Sequence, residues 1–150
     1  MIDLNMLNVA MTGGSLLEQA HDLFKRAVQA GARRRLLNTL LRRSNDLQAP
    51  SQSACLNAPH YVGIQEIPLS QIIGSEGRSA DFTAEFAPKH RRMRDRWVQV
   101  ALARMQGRSL PPIHVMRTCE GYFVRDGNHR VSVARALGEY EIAAEVITYV

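Results

Sequence analysis

The chain of 150 residues contains few cysteines and no long hydrophobic run. Its two cysteines, Cys55 and Cys119, stand in neither a metal-binding nor a redox spacing, so we expect no disulfide framework and a reducing compartment. No segment is apolar over the length that a bilayer requires, and the N-terminus lacks the basic and apolar regions of a signal peptide. These absences predict a cytoplasmic protein with no membrane partner.

The composition is that of a folded, moderately basic protein. Hydrophobic residues make up 45% of the chain, and 19 basic against 14 acidic residues give a formal net charge of +5. This length suits one compact domain, with room for an appendage. A basic balance favours polyanionic partners such as nucleotides or nucleic acid, although a folded domain of this charge needs no such partner.

One stretch, residues 121–146, combines strand, turn and helix patterns. Tyr122 begins a short β-prone run, and the turn-forming residues Asp126, Gly127 and Asn128 follow it. From Asn128 the apolar residues fall at helical spacing as far as Gly138, which suits a left-handed helix end. Residues 142–146 return to a strand pattern. The order predicted is therefore strand, tight turn, helix and strand.

The start of that predicted helix is a candidate anion site. Its first backbone N–H groups have no partner within the helix, and the helix dipole is positive there. His129 and Arg130 lie in the first turn, where a bound anion would offset their unfavourable position. Asp126 stands at the rim, where it could hold a metal ion. Alternatively, Asp126 caps the turn, Arg130 pairs with a surface carboxylate and His129 is simply solvated.

Five segments, taken in order, resemble the ParB/sulfiredoxin superfamily: residues 67–72, 110–115, 121–130, 134–138 and 142–146. The resemblance covers residues 61–150. It implies an α+β fold in which a small mixed sheet packs with helices. It also implies that Gly127, Asn128, His129 and Arg130 hold nucleotide phosphates.

Members of this superfamily differ in activity, so the resemblance implies a nucleotide site more firmly than a reaction. ParB proteins bind and hydrolyse CTP and load onto DNA, sulfiredoxins reduce sulfinic acids with ATP, and free serine kinases phosphorylate serine. The expected ligand is therefore CTP, ATP or ADP, with Mg²⁺ as the candidate metal at Asp126. If the protein is an enzyme, phosphoryl transfer or nucleotide hydrolysis is the expected reaction class.

The sequence differs from each branch of the superfamily, and these differences rank the expected activities. Asn128 occupies the place of the sulfiredoxin nucleophilic cysteine, which ranks sulfinic acid reduction last. The sequence ends at Val150, so we expect no ParB-type helix-turn-helix reader. The Asp-Gly-Asn-His-Arg pattern is nearer to the free serine kinases, whose motif aspartate Asp126 matches. Glu76 is the candidate for their upstream carboxylate, with Asp81 and Glu85 as rivals. Arg78 in the same loop is a second candidate for phosphate contact.

Residues 1–48 lie outside the resemblance and are predicted to form a helical extension, followed by a linker at 49–60 and the domain at 61–150. Ser15 and Glu18 form a capping-box pattern. Gly31 fits a helix end, and the leucines at 36, 37, 40 and 41 would fall on nearly the opposite face of a straight helix. We therefore expect a helical pair that breaks near Gly31. The leucines favour packing on a neighbour or on a second subunit.

Two basic stretches support an alternative function. Arg33 and Arg34 belong to the second predicted helix, and Arg91, Arg92 and Arg94 lie at the start of a helix predicted over 85–107. Such residues can bind DNA phosphates without strong sequence preference, or form a solvated surface. The alternative to a nucleotide enzyme is therefore a non-enzymatic, DNA-associated regulatory or partitioning module.

Overall fold

The computed structural model describes residues 14–51, 57–77 and 80–150. Its helices are α1 (Leu16–Leu40), α2 (Arg94–Met105) and α3 (Asn128–Ala136). Its strands are β1 (His60–Pro68), β2 (Ile72–Ser75), β3 (Ile113–Arg117), β4 (Tyr122–Asp126) and β5 (Glu141–Thr148). Short 3-10 turns cover Leu69–Gln71 and Arg91–Met93.

The five strands form one mixed sheet in the order β1-β5-β3-β4-β2. β1 pairs with β5 and β3 with β4 in antiparallel fashion, whereas β3–β5 and β2–β4 are parallel pairs. The tight β3–β4 hairpin and the α3 connection from β4 to β5 place the turn at Gly127 beside the central strand β3. The α+β fold with a small mixed sheet, as predicted, is confirmed.

The core has two connected parts. The larger cluster lies on the sheet and includes Ile113, Val124 and Val131, all fully buried. The smaller cluster joins the three helices around Trp97, which contacts the ring of Phe24 edge-on at 5.5 Å and donates to Ser132 Oγ at 2.8 Å. Trp97 is fully buried. α3 therefore contributes to both clusters, with Val131 and Ala134 in the larger one and Val133 in the smaller one.

Residues 16–40 form one continuous helix, so the predicted break near Gly31 is wrong. α1 runs through Gly31 without a break because Gly31 lies against the loop of residues 80–90, where a Cβ would come within 2.7 Å of Ala87 Cβ. The glycine provides close packing rather than a helix end. As a result Leu36, Leu37 and Leu40 face away from the core, at 65%, 46% and 74% exposure. The capping box at Ser15 and Glu18 is present.

The helix predicted over 85–107 is shorter than expected, because α2 begins at Arg94 after a 3-10 turn. Thr83 and Ala87 exchange hydrogen bonds, which closes residues 83–87 into a turn, and Phe86 has a φ of 61°. The N–H groups of Thr83 and Ala87 therefore donate within this turn and not to the carbonyls of a helix. The loop that contains Glu76 begins after Ser75, because Gly74 and Ser75 belong to strand β2.

The region between α1 and β1 is attached to the body of the protein where the structure describes it. Leu47 is buried in the larger core, and Gln48 O accepts a hydrogen bond from Ser75 N at 2.8 Å. Asn57 N donates to Tyr149 O at the far end of the segment. The domain boundaries proposed from the sequence stay a prediction.

The expectation that neither cysteine is paired is wrong for Cys119, which is disulfide-bonded. The other cysteine of the sequence, Cys55, lies outside the described residues. A reducing compartment therefore no longer follows from the cysteines, and cytoplasmic location stays a prediction. Within residues 14–51, 57–77 and 80–150, no helix has the length and apolarity needed to cross a membrane.

Candidate functional site

The turn between β4 and α3 is the geometric centre of the candidate site. Gly127 caps the helix with a φ of 106°, a left-handed conformation that L side chains adopt at a cost. A Cβ at this position would lie 2.5 Å from Ile113 Cγ2 and 3.2 Å from Arg130 Cζ. Glycine is therefore required here twice, by backbone conformation and by space. The predicted strand, turn and helix around Gly127 are confirmed.

The start of α3 presents backbone donors without a side-chain cap. The first helical hydrogen bond runs from Val131 N to Gly127 O, so the N–H groups of Asn128, His129 and Arg130 precede the hydrogen-bonded ladder. No side chain of the described residues caps this end, and the first turn contains no acidic residue. The positive end of the helix dipole is thus not neutralised from within the helix. These are the properties of an anion-binding helix start.

Arg130 is held by the backbone that leads into β3. Its guanidinium donates to Pro111 O, to Pro112 O at 2.8 Å and to Asp126 Oδ2 at 3.0 Å. The side chain is only 16% exposed, whereas that of Asp126 is 65% exposed. Arg130 therefore fastens residues 111–112 to the helix start and keeps its charge beside the turn. The sequence did not indicate this role for the two prolyl carbonyls, although a Pro-Pro pair immediately before a strand marks a fixed segment.

Asn128 and His129 occupy the first turn of α3 in different ways. Asn128 is 7% exposed, and its Oδ1 is buried with no hydrogen-bond partner among the described residues. A buried amide oxygen without a donor is costly to retain. The ring of His129 meets that of Phe82 edge-on, with centroids 5.3 Å apart. Phe82 is fully buried, so this contact orients the imidazole from the loop of residues 80–90.

The two carboxylates proposed as catalytic do not come together. Glu76 accepts two hydrogen bonds from Arg125, at 2.8 and 3.1 Å, and this contact raises the pKa of the Arg125 guanidinium further. Arg125 and Asp126 are consecutive residues of β4, so their side chains leave opposite faces of the sheet. Asp126 faces Arg130, and Glu76 lies on the other side with Arg125. Arg78 lies outside the described residues.

The arginines proposed for nucleic-acid binding are at the surface, and three of them have acidic partners. Arg34 pairs with Glu85, Arg92 with Asp81 and Arg94 with Asp95, at 3.3 to 3.6 Å. Arg33 and Arg91 are exposed. Glu85 and Asp81, the rival carboxylates from the sequence, thus take part in ion pairs on the loop of residues 80–90.

A metal ion at this site would have one protein carboxylate. Across the parts of the chain that the structure describes, no group of three or more His, Cys, Asp or Glu side chains is arranged to hold a metal. Mg²⁺ commonly binds through one or two carboxylates together with substrate phosphates and water. Asp126, exposed at the rim of the helix start, fits that mode of binding. The described residues do not form a site in which protein side chains alone would surround the metal.

Comparison with known proteins adds a distant likeness. No protein-family model and no curated protein sequence matches the chain. Among solved structures, the chain is similar to a crystal structure of sulfiredoxin from Arabidopsis thaliana, with a TM-score of 0.43 and 19% sequence identity. The similarity covers 55% of this chain and 82% of that one.

Proposed function

We propose that this protein binds a nucleotide, with the phosphates at the start of α3. The observation that carries the proposal is the helix start directly behind Gly127, which no described side chain caps and which lies at the positive end of the helix dipole, before the first helical hydrogen bond. The buried, unpartnered Oδ1 of Asn128 supports it independently, because this oxygen needs a donor such as a ribose hydroxyl or a base amino group.

The surrounding side chains have distinct roles in this proposal. His129, oriented by Phe82, donates to a phosphate oxygen. Arg130 acts mainly as a positioning residue, because its guanidinium already binds two carbonyls and Asp126. Asp126 is the exposed carboxylate, available to Mg²⁺ or to an acceptor hydroxyl as a general base. The reaction class that follows is phosphoryl transfer or nucleotide hydrolysis, with charge stabilised by the helix start and the metal.

The binding test is calorimetric titration with ATP, ADP, CTP and GTP, each with and without Mg²⁺. A matched pair of variants, His129→Gln and His129→Glu, separates binding from folding. The two side chains have nearly the same shape, and both lose the contact with Phe82. A glutamate in the first turn favours the helix by about 0.3–1 kcal/mol but repels phosphate.

We expect His129→Glu to be at least as stable as His129→Gln. It should bind nucleotide roughly tenfold more weakly or worse, because the contact between the glutamate and the phosphate charges costs about 1–2 kcal/mol. Equal affinities would show that the phosphates do not approach this turn. If none of the four nucleotides binds to the wild type, the proposal is wrong, and the helix start serves only the fold.

A second candidate function rests on the exposed arginines of α1 and of the segment before α2. Arg33 and Arg91 are solvent-accessible, and the acidic partners of Arg34, Arg92 and Arg94 lie in exposed or partly exposed ion pairs that salt weakens. This surface supports a DNA-associated module with little sequence preference. Its affinity for DNA should fall steeply with salt, and Arg33→Glu with Arg91→Glu should reduce it. Absence of DNA retention at low salt would exclude this function.

A further inference from the structure

The C-terminal end of α1 carries an apolar surface that is open to solvent. The helix is anchored there, because Asn38 is buried and its side chain donates to Glu85 Oε1 at 3.4 Å. Its leucines nevertheless point outwards and are about half exposed or more. We call them the leucine surface, which consists of Leu36, Leu37, Leu40 and Leu41.

The leucine surface is surrounded by positive charge. Five arginines lie between residues 33 and 43, and no acidic residue occurs between Asp22 and Asp46. Arg33 is exposed and stands three and four positions before Leu36 and Leu37, so helical spacing places it on their face. Two copies that met through their leucine surfaces would bring these arginines together, and like charges across an interface are costly. The leucine surface therefore suits a partner with acidic residues around an apolar centre.

The sheet has a face of that character at β1 and β5, on the side away from the core. The strand register pairs Tyr61 with Ile147 and Ile64 with Glu145, and residues paired across two strands share a face. Tyr61 and Ile64 are 59% and 65% exposed. Neither strand contains a lysine or an arginine. We call this the outer face, and strand alternation places three glutamates on it: Glu66, Glu141 and Glu145.

The leucine surface and the outer face lie on opposite sides of the chain. α3 packs on the core side of the sheet, where Val131 belongs to the larger cluster. α1 packs with α2 and α3 in the smaller cluster, around Trp97 and Val133. α1 is therefore on the core side as well, and one chain cannot lay its leucine surface on its own outer face. A contact between these two surfaces requires a second copy.

We propose that the leucine surface of one copy binds the outer face of a second copy. The leucines cover Tyr61 and Ile64, while Arg33 and the neighbouring arginines face the glutamates. Because the two contacting surfaces differ, the contact is head-to-tail, and it produces a ring or an open chain of copies. Neither surface includes the turn at Gly127, so the contact is independent of nucleotide binding.

The first test is a mixing experiment in sedimentation velocity, with two variants in which glutamine replaces exposed apolar residues and adds no charge. One combines Leu36→Gln with Leu40→Gln, and the other combines Tyr61→Gln with Ile64→Gln. We expect the wild type to associate as its concentration rises and each variant alone to be monomeric. An equimolar mixture should associate again, because one variant supplies an intact outer face and the other an intact leucine surface. Thermal unfolding checks that both variants are folded.

A charge reversal separates this contact from one between two leucine surfaces. Arg33→Glu should weaken association roughly tenfold, because it places a carboxylate against the glutamates of the outer face. Between two leucine surfaces, the same change would set a glutamate against arginines and strengthen association. Arg108→Glu, an exposed reversal outside both surfaces, should have no effect.

Four results would each overturn the proposal. The first is a wild type that stays monomeric at every concentration. The second is a variant with Tyr61→Gln and Ile64→Gln that associates as the wild type does, because the outer face would then take no part. The others are a mixture that stays monomeric and an Arg33→Glu variant that associates as strongly as the wild type or more strongly.

Discussion

Gly127 and Ile113 approach each other so closely that a Cβ on Gly127 would lie 2.5 Å from Ile113 Cγ2. The contact joins the start of α3 to the central strand β3, and it fixes where the backbone donors of the turn point. The same glycine has a φ of 106°. Any side chain at residue 127 must therefore overcome both the left-handed backbone and the packing against β3.

Gly127→Ala should destabilise the protein by about 2–4 kcal/mol, of which 1–2 kcal/mol or so comes from the left-handed backbone and the rest from overlap with Ile113. The matched control is Gly138→Ala. Gly138 has a φ of 74°, and a Cβ there would have no neighbour within 4 Å, so only the backbone cost applies. Urea denaturation measures both. Equal losses for the two variants would contradict the packing argument.

The hydrogen bond from Trp97 Nε1 to Ser132 Oγ is a second test of the fold, because both residues are buried. Ser132→Ala leaves the indole N–H without a partner and should cost about 1–3 kcal/mol. Trp97 is the only tryptophan in the sequence, so its fluorescence reports on this site and on unfolding. Ser51→Ala removes an exposed hydrogen bond to Glu120 and should cost less than about 0.5 kcal/mol. If Ser132→Ala left the free energy of unfolding unchanged, the indole N–H would have found another acceptor.

Tyr61 on strand β1 should ionise later than an ordinary tyrosine. Its hydroxyl donates to the Glu145 carboxylate, which raises the pKa of Tyr61 above 10.0, and the negative charge of Glu145 adds to the effect. Because the folded-state pKa is the higher one, the stabilisation is fully present below pH 10.0 and is lost as the pH rises through the folded-state value. Tyr61 is exposed (59%), so the effect on stability should be small.

Absorbance at alkaline pH measures this directly, because the sequence contains four tyrosines. Tyr61→Phe should remove the late-ionising component, and Glu145→Gln should return it to the ordinary range. Glu145 also contacts His114 Nε2 at 3.1 Å, so the histidine should be followed in the same variants. If the alkaline absorbance curve is the same in Glu145→Gln, the hydrogen bond is not formed in solution.

The leucines at the end of α1 provide a test of self-association. Leu36, Leu37, Leu40 and Leu41 are all about half exposed or more, which supports the expectation of a homo-oligomer through this helix. Combining Leu36→Glu with Leu40→Glu should then shift the protein to monomer in sedimentation velocity without loss of thermal stability. Gln29→Glu, an exposed residue outside the leucine surface, is the control. A wild type that remains monomeric at every concentration would show that this expectation is wrong.

The local sequence pattern was sufficient to predict the secondary structure around the candidate site. The turn at Gly127, the helix from Asn128 and the left-handed Gly138 were all predicted, because turn chemistry and helix ends depend on residues next to one another in sequence. The capping box at Ser15 and Glu18 was predicted for the same reason.

Contacts between distant residues decided the rest. The sequence pattern predicts a helix end at Gly31, but Gly31 packs against Ala87, 56 positions along the chain, and lies inside a continuous helix. Glu76 was grouped with Asp126 as a catalytic pair, but strand alternation and the contact with Arg125 place it on the other face of the sheet. The sequence by itself determined the turn at Gly127 and the helix start behind it, since both depend on residues that are adjacent in the chain. Only the tertiary structure decided which side chains and carbonyls surround that helix start. Pro111, Pro112 and Phe82 lie far from it in the sequence, so local patterns could not predict their contacts with Arg130 and His129.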